Sequence, residues 1–254
     1  MMIRLRYSWL ILCYALAGSG AWADSGVSQN NADWREDFHT LAPCWEVRGK
    51  PGTKKAIFYI TNSAHNAGSY LAMEAEQASA SLLMKLDEVD LRRTPILRWR
   101  WRVHEWPANA DGRDAARDDQ AIGIYINAGS MLKQRSLAYR WETETPVGTS
   151  GTASYAGGLV TVKWFSLRNQ QSGNKAEFFI EERNIAEDFR REFGFVPAKI
   201  GLGISCNSQY TASRAAAELD WIELCAPATT RSRDPAPRSE DLAEGTAVNG
   251  LVLP

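Results

Sequence analysis

Three arginines and a histidine occupy alternate positions of one segment: Arg98, Arg100, Arg102 and His104. Guanidinium groups bind carboxylates in bidentate geometry, and a histidine beside a carboxylate can serve as a general base near neutral pH. Arginines side by side on one strand face need carboxylates or a ligand opposite them. Two interpretations remain open: an outer sheet surface joined by cross-strand ion pairs, and a concave face where arginines and aromatic rings recognise a polar, acidic ligand.

Acidic residues are concentrated just before the apolar segment at Ala121, at positions Asp111, Asp114, Asp118 and Asp119. Calcium prefers such oxygen ligands, but the spacing fits no EF-hand loop, and Arg113 and Arg117 offset the charge. The sequence therefore predicts no metal here. Asp118 and Asp119 remain candidates for binding a polar ligand.

Several catalytic motifs are absent from the sequence. There is no G-x-S-x-G, no H-E-x-x-H, no P-loop and no complete dinucleotide-binding glycine motif, which disfavours serine hydrolases and nucleotide enzymes and predicts no cofactor. Paired carboxylates for glycoside cleavage, for example Glu142 with Glu181, stay open because their separation is a three-dimensional property.

Composition and charge narrow the class of protein. The chain has 254 residues, 44% of them hydrophobic, with 29 lysines and arginines against 30 acids and a net charge of −1. These values are typical of one large globular domain and exclude a wholly disordered, collagenous or coiled-coil chain. A near-neutral charge makes nucleic acid an unexpected partner.

The N-terminus has the pattern of a secretory signal peptide. Arg4 and Arg6 precede an apolar run over residues 9–17, and Ala21 and Ala23 form an A-x-A cleavage site. We therefore expect a signal peptide at residues 1–23, an N-terminal extension at 24–40, and a periplasmic or secreted protein. The run is too short to span a bilayer, so no integral membrane segment is expected after cleavage.

Three cysteines remain outside the signal peptide: Cys44, Cys206 and Cys225. An oxidising compartment permits disulfides, and Cys206 and Cys225 lie on strand-like segments that could be neighbours, so this pair is the predicted disulfide. The alternative is three buried thiols that act as small apolar residues.

The elements that position these residues are predicted to be short strands. In the clearest one, residues 96–104, Leu97, Trp99, Trp101 and Val103 alternate with the basic residues, so the two tryptophans are predicted to be core. About ten such segments between residues 41 and 226 predict an all-β fold, an antiparallel two-sheet sandwich of jelly-roll type. A stacking role stays open for Trp106, Trp141 and Trp164, which lie near strand ends.

Two other segments differ from this pattern. Asn184 can cap a short helix over residues 185–193 that ends at Gly194. The segment at 227–254 is rich in Ala, Pro, Ser, Thr and Arg, and it is predicted to be a disordered tail.

The chain resembles a bacterial family called domain of unknown function 3047 over about residues 45–224. The resemblance rests on the P-x-L-x-W-x-W-R-V element that starts at Pro95, and on Asp118, Asp119, Tyr139, Trp141, Arg183, Asn184, Asp188, Phe193 and Gly194. It implies a secreted or periplasmic single-domain protein and assigns no activity. Positions that carry over are Trp99, Trp101, Arg102, Asp118, Asp119, Tyr139, Trp141, Arg183 and Asp188.

One stretch departs from the family pattern. Where relatives have T-D-T-D-N-T, residues 205–211 are S-C-N-S-Q-Y-T, without either aspartate. If those acids bind a ligand or metal in relatives, that function is lost or changed here. If they only cap a loop, Asn207 and Ser208 can form the same hydrogen bonds.

These observations give one leading hypothesis and two alternatives. The leading hypothesis is a non-catalytic exported β-sandwich that binds a carbohydrate or another polar envelope ligand. The alternatives are a polysaccharide hydrolase or lyase that uses His104 or a carboxylate pair, and a structural envelope protein. The residues predicted to bind the ligand are Arg100, Arg102, Asp118, Asp119, Tyr139, Trp141, Arg183 and Asp188.

Overall fold

A computed structural model describes residues 34–62, 68–130 and 133–227 of the chain. The predicted signal peptide at 1–23, residues 24–33 of the extension and the predicted tail from residue 228 onward lie outside the described residues. Within the described ranges, no helix combines the length and apolar character that crossing a membrane requires.

These ranges contain thirteen strands and one α-helix. They are β1 (Trp34–Glu36), β2 (Glu46–Gly49), β3 (Ile57–Asn62), β4 (Ser69–Glu76), β5 (Ser79–Leu86), β6 (Ile96–Glu105), β7 (Ile122–Ser130), β8 (Lys133–Trp141), β9 (Ser150–Tyr155), β10 (Val160–Arg168), β11 (Phe179–Asn184), α1 (Ile185–Phe193), β12 (Ile200–Asn207) and β13 (Arg214–Cys225).

The strands form two sheets. The six-stranded sheet has the order β11-β6-β13-β4-β3, with β1 also paired to β13, and the seven-stranded sheet has the order β2-β5-β12-β7-β8-β10-β9. Successive strands alternate between the sheets over two stretches of the chain. In the first, β4 and β6 belong to the six-stranded sheet, and β5 and β7 belong to the seven-stranded sheet. In the second, β11 and β13 belong to the six-stranded sheet, and β12 belongs to the seven-stranded sheet. This alternation confirms the predicted two-sheet, jelly-roll-type sandwich.

One strand pair departs from the antiparallel prediction. β8 and β10 are parallel, because β9 takes the outer edge of the sheet and β10 returns between β9 and β8. Residues 142–149 connect β8 to β9 and span the width of one strand, and β10 then fills the space between them.

The core lies between the sheets and is strongly aromatic. Trp99 and Trp101 are fully buried, as predicted from their alternation with arginines. The Trp99 ring stacks on Tyr139 of β8 at 5.6 Å between centroids, and Trp101 contacts Trp141 at 5.5 Å. These ring contacts hold β6 against β8. Truncating one such ring costs about 3–5 kcal/mol of folding stability.

The helix forms where the sequence predicts it. The Asn184 side chain accepts a hydrogen bond from the Glu187 amide at 3.1 Å, and Gly194 ends the helix with a left-handed φ of 79°. Phe189 is fully buried and contacts Phe193 at 5.7 Å between centroids, so this face of α1 packs on the sandwich.

The sandwich begins before residue 41. Strand β1 pairs with the end of β13, and Phe38 is fully buried in the core. Residues 34–40 of the predicted extension therefore contribute to the folded domain, because Trp34 and Phe38 supply apolar contacts to it.

The predicted disulfide between Cys206 and Cys225 is wrong. Cys206 is a free, buried thiol on β12 of the seven-stranded sheet, and its Sγ lies 4.0 Å from the Ala215 carbonyl near the start of β13. Cys225 ends β13 in the other sheet, ten residues beyond Ala215. That span of strand is roughly 33 Å, whereas disulfide Cα atoms lie within about 7 Å of each other.

Candidate functional site

The residues grouped by the sequence lie in different parts of the sandwich. Arg100 and Arg102 lie on the outer face of the six-stranded sheet. Tyr139, Arg183 and Asp188 meet beneath α1, and Trp141 lies in the core. Asp118 and Asp119 adjoin the outer face of the seven-stranded sheet.

The arginines of β6 face a row of acids on β13. Arg100 Nη1 donates to Asp220, and Arg102 Nε donates to Glu218 Oε2 at 2.6 Å. Burial raises the pKa of Glu218, but neighbouring His104 and Arg102 outweigh this and hold it below its usual range. These contacts match the ion-pair interpretation of this face, and the arginine charges are already balanced.

Tyr139, Arg183 and Asp188 form a closed cluster. Tyr139 Oη donates to Asp188 Oδ2 at 2.6 Å, and Arg183 Nη2 donates to both carboxylate oxygens at 2.7 and 2.8 Å. Burial raises the pKa of Tyr139 well above its usual value, and the Asp188 charge adds to this. Because Asp188 is on α1 and Tyr139 on β8, the cluster attaches the helix to the sheet.

Arg140 lies between two core residues of β8 and points to the opposite face. Its side chain is 1% exposed, its Nη1 donates to Asp118 Oδ1 at 2.8 Å, and the same nitrogen lies 3.5 Å from Glu142 Oε1. The Trp164 ring centroid is 5.2 Å from the guanidinium carbon. We call Arg140, Asp118, Glu142, Trp164 and Tyr125 the Arg140 site.

The charge state of Arg140 follows from these neighbours. Burial alone would lower the pKa of Arg140, but Asp118, Tyr125 and Glu142 outweigh that effect, and the net pKa is raised. Arg140 is therefore a fixed cation inside the protein, with Asp118 as its closest counter-charge.

Several buried polar atoms in this region have no hydrogen-bond partner within the described residues. They are Arg140 Nε, Glu142 Oε1 and Ser166 Oγ. Ser166 stands beside Arg140 in the register of β10 and β8. Since buried polar groups are nearly always hydrogen-bonded, these unpartnered donors and acceptors are positions where a water or another polar group would bind.

Glu142 lies at the buried end of this site. Burial raises the pKa of Glu142 to about 7, against the opposing effect of the Arg140 charge. Thr145 Oγ1 lies 3.2 Å from its Oε2, and a Cβ atom at Gly112 would lie 2.9 Å from its Oε1. Asp118 keeps 16% of its side chain exposed, so it is the accessible carboxylate of the site.

Glycines let the aromatic rings of this face lie close to the strands. A Cβ atom at Gly151 would fall 2.3 Å from the Trp164 ring, and one at Gly123 would fall 3.0 Å from the Tyr125 ring. The buried apolar residues of this face form a second cluster, outside the main core: Tyr125, Ala138, Tyr155, Val160, Val162 and Trp164.

The stretch that departs from the family pattern lies against the acidic pair. Buried Asp119 accepts hydrogen bonds from the Thr211 amide at 2.7 Å and the Thr211 hydroxyl at 2.9 Å. Asn207 donates to Gln120 at 3.3 Å, and Gln120 donates to Asp118 at 2.6 Å. Asn207 thus holds the loop before β7 through its hydrogen bond to Gln120. The hydrogen bonds between Asp119 and Thr211 fix the same loop next to Asp118.

The acidic loop has no metal geometry. Arg113 Nη2 lies 2.6 Å from Asp111, and Arg117 Nε lies 3.1 Å from Asp114. Among the described residues, no three or more His, Cys, Asp or Glu side chains are grouped so that they could hold a metal ion.

The proposed carboxylate pair of Glu142 and Glu181 shares no partner. Glu181 lies on β11 of the six-stranded sheet, where it accepts hydrogen bonds from Trp101 Nε1 at 3.3 Å and from Arg168 of β10. Glu142 follows β8 and faces Arg140 instead. Nothing in this arrangement places the two carboxylates on opposite sides of one bond.

Sequence reasoning missed Arg140 and Tyr125. One usable signal was the order Tyr139-Arg140-Trp141, because alternation places an arginine between two core aromatics on the opposite face. Tyr125 alternates in the same way between buried Ile124 and Ile126.

Comparisons with known proteins identify one family. A family model described as "Protein of unknown function (DUF3047)" matches residues 44–223. No curated protein matches the chain.

Solved structures with a similar architecture include carbohydrate-binding and carbohydrate-cleaving proteins. A family 11 carbohydrate-binding module from Clostridium thermocellum, in complex with a β-1,3-1,4-mixed-linked tetrasaccharide, is 9% identical, with a TM-score of 0.43 over 78% of this chain and 97% of that one. A cellulase derived from Cel12A of Rhodothermus marinus is 11% identical, with a TM-score of 0.41 over 76% and 100%. At these scores the similarities carry no argument about the ligand of this chain.

Proposed function

The chain belongs to the DUF3047 family, as its resemblance indicated, and we propose that it is a non-catalytic module that binds a neutral carbohydrate at the Arg140 site. The observation that carries the proposal is the buried Arg140 beside the accessible Asp118, with unpartnered polar atoms and the Trp164 ring around them. The proposal includes export, which rests on the predicted signal peptide at residues 1–23.

The residue types at the site suit a sugar. Carboxylate groups bind vicinal sugar hydroxyls, and Asp118 is the group of this site that reaches the surface. Arg140 Nε and Ser166 Oγ are buried polar atoms without a partner among the described residues, so a water that also meets the ligand would satisfy them.

Charge favours a neutral ligand. Asp118 already balances Arg140, so a uronic acid would place its carboxylate next to that of Asp118. The arginines of β6 offer no alternative, since Arg100 and Arg102 are paired with Asp220 and Glu218. This distribution disfavours a lyase, in which free cations would neutralise a uronate.

Geometry supports binding without cleavage. Glycoside hydrolysis uses two carboxyl groups on either side of the scissile bond. Here Asp118 is accessible, whereas Glu142 is enclosed by Gly112, Thr145 and Arg140. Only one carboxylate is therefore available to a ligand at this site.

The test is calorimetric titration of the mature chain, from residue 24, with cellohexaose, mannohexaose and a galacturonic acid hexamer. We expect binding of a neutral oligosaccharide, no binding of the acidic one, and loss of one binding site in Asp118→Ala. Tyr139→Phe, altered in the closed cluster, is the matched control and keeps binding.

Two outcomes would overturn the proposal. An unchanged number of binding sites in Asp118→Ala would exclude the Arg140 site. Release of reducing ends from any of these oligosaccharides would show an enzyme rather than a binding module.

A further inference from the structure

A cavity lies at one end of the sandwich, away from the Arg140 site. It has a volume of about 640 Å³ and lies between the end of β6 and the loop from β10 to β11. Such a volume falls within the range of small-ligand sites. The side chains that line it are Glu105, Trp106, Gln170, Gln171, Asn174 and Lys175.

Hydrogen bonds of Asn169 hold the loop that forms one wall of the cavity. Buried Asn169 accepts a hydrogen bond from the Gln171 amide at 3.0 Å through Oδ1, and its Nδ2 donates to the Thr145 carbonyl at 3.2 Å. The Asn169 carbonyl accepts from Trp141 Nε1 at 3.0 Å. The backbone is therefore fixed without using the side chains that face the cavity.

Those cavity side chains keep unused hydrogen-bonding groups. In the part of the chain that the structure describes, the side-chain amides of Gln170, Gln171 and Asn174 form no hydrogen bond to another residue. Trp106 Nε1 is buried and likewise has no partner there. Gln170, Gln171 and Asn174 are exposed, so their side-chain amides can bind water or a ligand.

Trp106 gives the cavity a rigid aromatic wall. Its ring contacts Trp141 at 6.4 Å between centroids, and Trp141 in turn contacts Trp101 at 5.5 Å. Trp106 is half-buried, so part of its ring stays accessible. Aromatic rings held in this way bind apolar ring faces at a low entropic cost.

The charges near this cavity are equal in number, with Lys175 and Arg214 against Glu105 and Glu177. The Lys175 ammonium lies 5.8 Å from the Trp106 ring centroid, and Glu105 lies 3.7 Å from Arg214. Glu177 accepts from the Asn174 amide at 3.2 Å beside the cavity. A neutral ligand with many hydroxyl groups therefore fits better than an acidic polymer.

We infer that this cavity is a second carbohydrate-binding site, in which a neutral sugar packs on Trp106 while the amides of Gln170, Gln171 and Asn174 bind its hydroxyls. It shares no residue with the Arg140 site. Trp106 contacts the core side of Trp141, whereas Arg140 lies on the opposite face of β8. A long glycan or two separate chains can occupy the two sites.

The experiment is calorimetric titration of the mature chain with cellohexaose and mannohexaose, read as the number of sites. We expect two sites for the bound glycan, and one remaining site in Trp106→Ala. Trp106→Phe keeps a ring and should bind at the second site with affinity reduced roughly tenfold. Gln171→Ala, whose side chain makes no structural hydrogen bond, should weaken the same site without affecting folding.

The control is Ile57→Ser, which alters an exposed apolar residue on β3, outside both sites. An unchanged number of sites in both Trp106→Ala and Gln171→Ala would overturn the second site. If Asp118→Ala loses one site and Trp106→Ala loses none, the result supports the Arg140 site and contradicts the second site. If only Trp106→Ala loses a site, the result supports the second site and contradicts the Arg140 site.

Discussion

Asp118 Oδ1 accepts a hydrogen bond from Arg140 Nη1 at 2.8 Å, and this contact joins the loop before β7 to the end of β8. Arg140 is buried, while Asp118 reaches the surface. The buried cation is therefore balanced by a carboxylate that reaches the surface of the sheet face.

Removing the buried cation should strongly destabilise the fold. Arg140→Ala leaves Asp118 and buried Glu142 without their shared counter-charge, and breaking a buried pair in this way costs about 3–5 kcal/mol. Arg102→Ala, on the other sheet and more exposed, should cost about 1 kcal/mol. Urea unfolding of both variants measures the difference, and equal losses would contradict the structural role assigned to Arg140.

Stability should depend on pH through Glu142. Its pKa rises to about 7 in the folded chain from an ordinary value of 4.5, because it is buried. The folded state thus binds this proton more tightly, so the associated stability is complete below about pH 4.5 and is lost as the pH rises through 7. Between pH 5 and 8, the free energy of unfolding of the parent chain should therefore fall by roughly 2–3 kcal/mol more than that of Glu142→Gln.

The matched control for this pH series is Glu88→Gln, which removes an exposed carboxylate. Its stability profile should run parallel to that of the parent chain. Parallel profiles for the parent chain and Glu142→Gln would show that Glu142 is ionised throughout this range.

The two sheets were predictable because their signals are local. Alternation along β6 placed Trp99 and Trp101 in the core, and Asn184 and Gly194 marked the ends of α1. The partners of charged residues were not predictable, since Arg102 meets Glu218 across 116 positions of sequence. Such contacts follow from the order of strands in the sheet, which alternation does not specify.

The candidate site was harder to predict for a second reason. A strand pattern divides residues between two faces but does not tell which buried polar residues cover the outer one. Tyr139 and Trp141 were selected as aromatic candidates, yet they point into the core, and Arg140 between them points to the site. A second apolar cluster around Tyr125 and Trp164 buries that outer face, and a chain pattern gives little sign of it.

Tyr139→Phe should affect stability and leave glycan binding intact. The change removes the hydrogen bond of 2.6 Å to Asp188, which keeps its contacts with Arg183. Loss of one buried hydrogen bond to a charged group costs about 1.5–3 kcal/mol. Thermal and urea unfolding measure this cost, and weaker glycan binding in the folded variant would place the cluster in the ligand site instead.

Cys206 should be unreactive in the folded protein. Its side chain is fully buried, and burial raises the pKa of the thiol well above its usual value, so little thiolate forms. Cys44 is exposed, although burial of part of its side chain raises its pKa as well. Iodoacetamide at mildly alkaline pH should therefore label Cys44 and leave Cys206 unlabelled until urea is added. Mass spectrometry of a non-reduced digest reads both thiols directly, and a peptide linking Cys206 to Cys225 would show that β12 and β13 are arranged differently from the fold described above.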